Sequence, residues 1–248
     1  MSAQTFSFTH IYFSLAVRQG ERRVGKTVAI MQPYFAPYGG YWRLLAGSDL
    51  FVIYDCVQFP RRGWVHRNRL PDAKGEAQWL TLPLAPAPFD ARIEDMVFAS
   101  DAAERMADRV RAFPSLARLN PATDRLLHAA PLTGPFVDYA ARQIEVACEL
   151  LGVACRVIRS SALQIDPQLK AQDRILAILQ AVGASDYLNA PGGRDLYQPD
   201  AFAAQGLGLH FLDDYVGPSW SLLHRLSSEP LDALRTDIVG QTPRPHRT

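Results

Sequence analysis

The sequence predicts an α/β fold: a layered, mostly parallel sheet with flanking helices and a helical middle section. Three observations predict it. "TVAIM" (27–31) and "LFVIYD" (50–55) are near-continuous apolar runs of strand length, as expected of strands buried on both faces. Segments with apolar residues at helical spacing alternate with such runs along nearly the whole chain. Glycines and prolines punctuate the boundaries between them.

Taken in order, "TVAIM" is the first core strand, ended by Pro33. The loop "QPYFAPYGG" follows, and "GYWRLLAGSD" reads as a short helix with Trp42 and Leu45 on one face. With "LFVIYD" this makes a strand–loop–helix–strand unit, the signature of parallel pairing. "QWLTLPL" is a further strand, closed by prolines 83, 86 and 88. The middle section is helical. "SDAAERMADRVRAF" opens on Ser100 as the expected N-cap, with acidic residues in its first turn. "PFVDYAARQIEVACELLG" carries Phe136, Ala140, Ile144, Cys148 and Leu151 at helical spacing and closes on Gly152. "VACRVIRSS" returns as a strand, "AQDRILAILQAVG" as an amphipathic helix, and "DYLNAPGGRDLY" as a short strand with a glycine-rich turn. A late strand in "LGLHFLDD" and a helix in "PLDALRTDIVG" complete the fold.

The organisation expected is one α/β domain over residues 27–239, with two lobes divided near residue 90 as the alternative. Residues 1–26 are expected to stand outside it, as an extension or a start placed too early, and 240–248 as a disordered tail. The segment "IYFSLAV" lacks the flanks of a signal peptide. No apolar run reaches the roughly 18 residues of a membrane span.

Composition narrows the function. The chain has 248 residues, a formal net charge of +1 and 48% apolar residues. A non-specific nucleic-acid binder normally shows a strong basic excess, so nucleic acid is an unlikely partner and any basic function is local. Three cysteines without a CxxC pair argue against a disulfide framework or structural zinc, and point to the cytoplasm. The GxGxxG fingerprint, HExxH and the GxSxG elbow are missing, and "GERRVGKT" (20–27), which has the spacing GxxxxGK[ST], leads into a strand rather than from a strand into a helix, so it is not read as a phosphate loop.

Ligands of open α/β sheets bind beyond the carboxyl ends of the strands. The loop after the first strand lies there, which makes Gln32, Tyr34, Tyr38, Gly39 and Gly40 candidates for binding. The two glycines allow close backbone approach, and the helix start can favour an anion. Asp55 ends the second strand at the same edge, where a carboxylate can act as a base or cap a loop. "RRGWVHRNR" is the most telling segment. Arg61, Arg62, Arg67 and Arg69 cluster within nine residues, interleaved with Trp64, His66 and Asn68. Guanidinium forks match phosphate oxygens and Trp stacks on rings, so the patch suggests a discrete phosphorylated ligand. His66 is the second candidate acid or base. Ser160 and Ser161 follow a strand, and Gly193, Arg194 and Tyr197 form a turn that presents a cation. Trp220 is expected to pack. Asp213-Asp214 is a poor substitute for a DxD pair, so no metal site is expected, and the sequence names no cofactor.

The stretch "MQPYFAPYGGYWRLLAGSDLFVIYDCVQFPRRGWVHRNRL", followed by "WLTLPL", "LGVACRVIRSSAL", "VGASDYLNAPGGRDLY" and "WSLL", resembles the WbqC-like family, which is associated with O-antigen and other surface-polysaccharide clusters. The resemblance runs from about residue 28 to 238. Members often carry His-Gln-Pro where this chain has Met31-Gln32-Pro33, which removes the ground for a mechanism needing a histidine at 31. The resemblance implies a cytoplasmic transferase acting on a nucleotide-activated or amino-deoxy sugar, or a related metabolite. A looser similarity links the first βαβ unit to nucleotidyltransferases, but "PYGGY" lacks their histidines.

Three functions follow as expectations. The first is a transferase, moving an acyl, aminoacyl or glycosyl group, in which arginines clamp a phosphorylated donor and Asp55 or His66 takes a proton. The second is a non-catalytic binding protein of the same pathway, in which Asp55 and His66 would point away from the pocket. The third is RNA binding through a wide basic-aromatic surface.

Overall fold

The computed structural model describes residues 25–243. The expectations for residues 1–24 and 244–248 fall outside the described residues.

Among the described residues there are seven strands: β1 (Thr27–Met31), β2 (Leu50–Ile53), β3 (Arg67–Pro71), β4 (Ala77–Thr81), β5 (Arg156–Arg159), β6 (Asp186–Asn189) and β7 (Gly208–Phe211). The helices are α1 (Gly39–Ala46), α2 (Ala102–Val110), α3 (Pro121–Leu127), α4 (Phe136–Leu151), α5 (Ala171–Ala181), α6 (Pro199–Ala203), α7 (Leu222–Ser228) and α8 (Leu231–Arg235). The expected α/β class is correct. Five strands form a wholly parallel sheet in the order β5-β2-β1-β6-β7. In order of appearance these are the third, second, first, fourth and fifth strands of the sheet. This is the doubly wound order, which reverses between β1 and β6 and opens a crevice beyond their carboxyl ends.

The apolar runs are explained by burial on both faces. Ala29, Phe51 and Ile53 face a core shared with α1 and α4. Val28, Ile30, Leu50 and Val52 face a second core with Ile175 and Ile178 of α5 and Phe202 of α6. A helix period of 3.6 puts the buried residues of α4 on one stripe, and Gly152 ends it in the left-handed conformation at φ 69°.

Two expectations are corrected. "QWLTLPL" does contain a strand, but β4 pairs antiparallel with β3 as a separate two-stranded hairpin, in register Arg67↔Thr81 to Pro71↔Ala77. The connecting residues Asp72–Glu76 turn with Gly75 at φ 81°, and Asp72 Oδ1 accepts from Lys74 N at 2.8 Å and Glu76 N at 3.0 Å. Ser100 is not the N-cap of α2. Asp101 occupies that position, without a side-chain cap.

Candidate functional site

The loop leaving β1 arrives at the edge where the strand order reverses, and its backbone is held in an unusual shape. Ala36 is fully buried and adopts φ +38°, a left-handed conformation uncommon for a residue with a Cβ. Four hydrogen bonds fix it. Its N–H donates to Gln143 Oε1 at 2.8 Å. Its carbonyl accepts from Asn68 Nδ2 at 2.8 Å, Ser221 Oγ at 2.6 Å and Leu222 N at 3.2 Å. Phe35 adds two more links, accepting from Asn68 Nδ2 at 2.9 Å and donating to the Trp64 carbonyl at 3.1 Å. Three chain segments thus converge on the loop after β1: the hairpin, α4 and the start of α7.

Their convergence forms a pocket of about 340 Å³. It is lined by Tyr34, Pro37, Tyr38, Trp64, Asn68, Arg69, Ala77, Ser219 and Trp220. Four of these are aromatic and none is a carboxylate. Burial raises the Tyr34 and Tyr38 phenols above their ordinary value, so both are protonated donors near neutral pH.

Alternation along β3 explains the wall. Asn68 and Leu70 point inward and are buried, while Arg67 and Arg69 share the opposite face with Trp79. The Arg67 guanidinium lies 4.1 Å from the Trp79 ring centroid. Arg69 lies 5.1 Å from Trp64 and 5.3 Å from Trp79, and the two indoles are 4.9 Å apart. Arg67 spends its donors on the carbonyls of Gly63 at 3.2 Å and Arg62 at 2.8 Å. The Arg69 guanidinium has no hydrogen-bond or ion-pair partner among the described residues. It is positioned by stacking alone and left with its donors open.

The other expected residues lie elsewhere. Asp55 is fully buried. It accepts from Ser160 Oγ at 2.7 Å, Ser161 N at 2.9 Å and Ser161 Oγ at 2.6 Å. This triad ties the carboxyl end of β2 to that of β5. Ser160 and Ser161 therefore serve Asp55. The close approaches expected at Gly39 and Gly40 are made by the chain's own tyrosines. A Cβ on Gly39 would lie 2.5 Å from the Tyr215 ring, and one on Gly40 would lie 2.5 Å from that of Tyr38. The Gln32 carbonyl accepts from Tyr41 Oη at 2.9 Å. Gly193 packs on the Asn189 amide, Arg194 donates to the Leu212 carbonyl at 3.2 Å, and Tyr197 meets Tyr187 Oη at 3.3 Å. Arg62 is exposed.

Arg61 and His66 line a second cleft of about 310 Å³, with Phe59, Arg105 and Arg109. His66 is half-buried, its ring 5.0 Å from that of Phe59. Burial, with Arg67 and Arg109 nearby, lowers its pKa to about 4, so it is neutral at pH 7. The residues the sequence reading missed are Trp79, Pro37, Ser219 and Ala77, and Trp220 is a pocket wall rather than packing alone. Trp79 was legible: strand alternation puts it across from Arg69 once the Asp72–Glu76 turn is recognised.

The family model of the "WbqC-like protein family" matches residues 32–225. The chain belongs to the WbqC-like family. Among curated proteins it is similar to the "Uncharacterized protein Rv1507c" of Mycobacterium tuberculosis, 25% identical over 193 residues, covering 76% of this chain and 82% of that protein. No solved structure matches the chain. Among the described residues no helix is long and apolar enough to cross a membrane, and no cluster of three or more metal-ligating side chains occurs.

Proposed function

We propose that this WbqC-like protein binds a nucleotide-activated sugar, or a closely related phosphorylated ring compound, and takes part in acyl, aminoacyl or glycosyl transfer to or from it. The observation that carries the reading is the unpaired Arg69 guanidinium on the wall of a four-aromatic pocket. A flat or sugar ring stacks on the aromatics, worth about 1–3 kcal/mol per stacked base. Arg69 meets phosphate oxygens with donors that no other group claims. The neutral phenols of Tyr34 and Tyr38 donate to ring hydroxyls or carbonyls. Rate enhancement in such a site comes from holding two reactants in register with water excluded. Asp55 belongs to the framework in this reading. The carboxyl-edge location agrees with where doubly wound sheets bind nucleotides. A surface-polysaccharide pathway and a cytoplasmic setting are the biological context proposed.

One observation favours a second reading, a binding protein of the same pathway that does not turn its ligand over. Neither Asp55 nor His66, the two groups expected to move protons, lines the aromatic pocket.

Both readings are tested by titrating nucleoside diphosphate sugars and free nucleotides into the purified protein, with Trp64→Ala and Arg69→Gln as variants. One ligand class should raise the melting temperature by mass action. Each variant should weaken that binding by about tenfold, the equivalent of about 1.4 kcal/mol. If no member of the panel binds, or the variants bind as the wild type does, the pocket has another ligand. Incubation of the bound sugar with acyl and glycosyl acceptors then separates the readings: product formation selects the transferase, and unchanged ligand selects the binding protein.

A further inference from the structure

We infer that the cleft lined by Arg61, His66, Arg105 and Arg109 is a second binding site, one that takes an oxyanion, phosphate or carboxylate, carried on an apolar body. It is separate from the aromatic pocket and shares no lining residue with it.

The cationic side comes from two directions. Arg61 approaches from the turn before β3. Arg105 and Arg109 come from α2, where four-residue spacing puts both on one helix face. Like charges at this spacing destabilise a helix, so the pair is a local cost unless something negative offsets it. Asp101 offsets only part, through an ion pair with Arg105 at 3.3 Å whose partners are both exposed. Arg109 has no carboxylate partner among the described residues. It donates one bond to the Thr81 carbonyl, and burial together with Arg105 lowers its pKa. Arg61 is braced by the carbonyls of Ala87 at 2.8 Å and Pro88 at 2.6 Å. No acidic residue lines the cleft.

Apart from His66 and Thr81 the rest of the lining is apolar, with Phe59, Leu82, Leu84 and Met96 its largest members. The His66 Nδ1 is buried without a hydrogen-bond partner. His66 lines the same cleft as the three guanidinium groups, so a bound oxyanion brings negative charge near the imidazole. Burial first, then Arg67 and Arg109, keep that ring neutral, and an anion held on Arg109 offsets part of the effect, so binding should raise its pKa.

The test uses phenyl phosphate, inorganic phosphate and benzoate as probes of the full chain, by calorimetric titration. Phenyl phosphate should bind more tightly than inorganic phosphate, because the rest of the lining is apolar. Comparison with benzoate distinguishes a phosphoryl from a carboxylate ligand. Arg105→Gln and Arg109→Gln should each weaken binding by at least about tenfold, while Trp64→Ala leaves it unchanged. Arg105 makes no bond to the hairpin, so its variant decides the matter if Arg109→Gln fails to fold. In the wild type the His66 ring, followed by NMR, should titrate above its starting value of about 4 when the anion is present. No saturable binding below about 10 mM, or equal affinity in wild type and Arg105→Gln, overturns the inference. Loss of sugar-nucleotide binding in Trp64→Ala alone speaks only to the aromatic pocket.

Discussion

Ala36 shows how a single residue can hold a site together. Its left-handed backbone costs roughly 1–3 kcal/mol, and the convergent bonds from Gln143, Asn68, Ser221 and Leu222 offset that cost. Asn68 is the most exposed link to mutation, since one amide serves two carbonyls and is itself buried. Asn68→Ala leaves the Phe35 carbonyl without its donor, takes one of three donors from Ala36, and should cost about 1–3 kcal/mol. Asn68→Asp should cost more, because a carboxylate would face carbonyl oxygens. Urea denaturation measures both, and the pocket should lose ligand affinity alongside. Asp55 belongs to the same class. Asp55→Asn removes an acceptor from the serine pair and should cost about 1.5–3 kcal/mol. Stability should drop with turnover per folded molecule unchanged. A fully stable but inactive Asp55→Asn would return this residue to catalysis.

At the scale of the element, the hairpin is the unit that makes the site. Its exposed face alternates cation and indole, so Arg67 and Arg69 are ordered by Trp79 rather than by carboxylates. Trp79→Ala should weaken ligand binding about three- to tenfold through loss of Arg69 positioning, with little change in pocket shape. A titration beside Arg69→Gln checks it: the double variant should be no weaker than Arg69→Gln alone.

This is also where sequence reading stopped short. β1, β2 and α4 were legible because burial on two faces, or on one helical stripe, leaves an unambiguous period. The pairing of the hairpin was not, since "RNRLP" carries two arginines and a proline in five residues and lacks the apolar run of a sheet strand. The five residues from Asp72 to Glu76, with glycine in the left-handed region, were the available signal. The arginine–tryptophan segment stood out in the sequence, yet which arginines remain unpaired depends on contacts across strands. Asp55 and Ser160 are 105 positions apart in the chain, so no local pattern could show that one satisfies the other.

For the whole molecule, five parallel strands in doubly wound order place the candidate aromatic pocket at the edge where such sheets commonly bind ligands. The pH response follows from His66. Its pKa in the folded chain is about 4, against 6.5 for an ordinary histidine. Above pH 6.5 both folded and unfolded chains hold it neutral. Between 6.5 and 4 the unfolded chain takes the proton first, so stability falls as pH drops. His66→Gln should flatten that part of the stability profile, measured by thermal melts at stepped pH in a buffer free of phosphate. If the two profiles run parallel, His66 titrates normally and the cleft is better solvated than described.

The separation of the β3–β4 hairpin from the five-stranded sheet has a consequence for how such proteins diversify. No ladder joins the two, so residues on the hairpin's outer face can change without disturbing any strand register in the sheet. The Phe35 and Ala36 carbonyls act as the socket, and the inward-facing Asn68 of the hairpin is what plugs into it. Relatives that keep the socket can exchange hairpins, and ligand preference should travel with the transplanted segment.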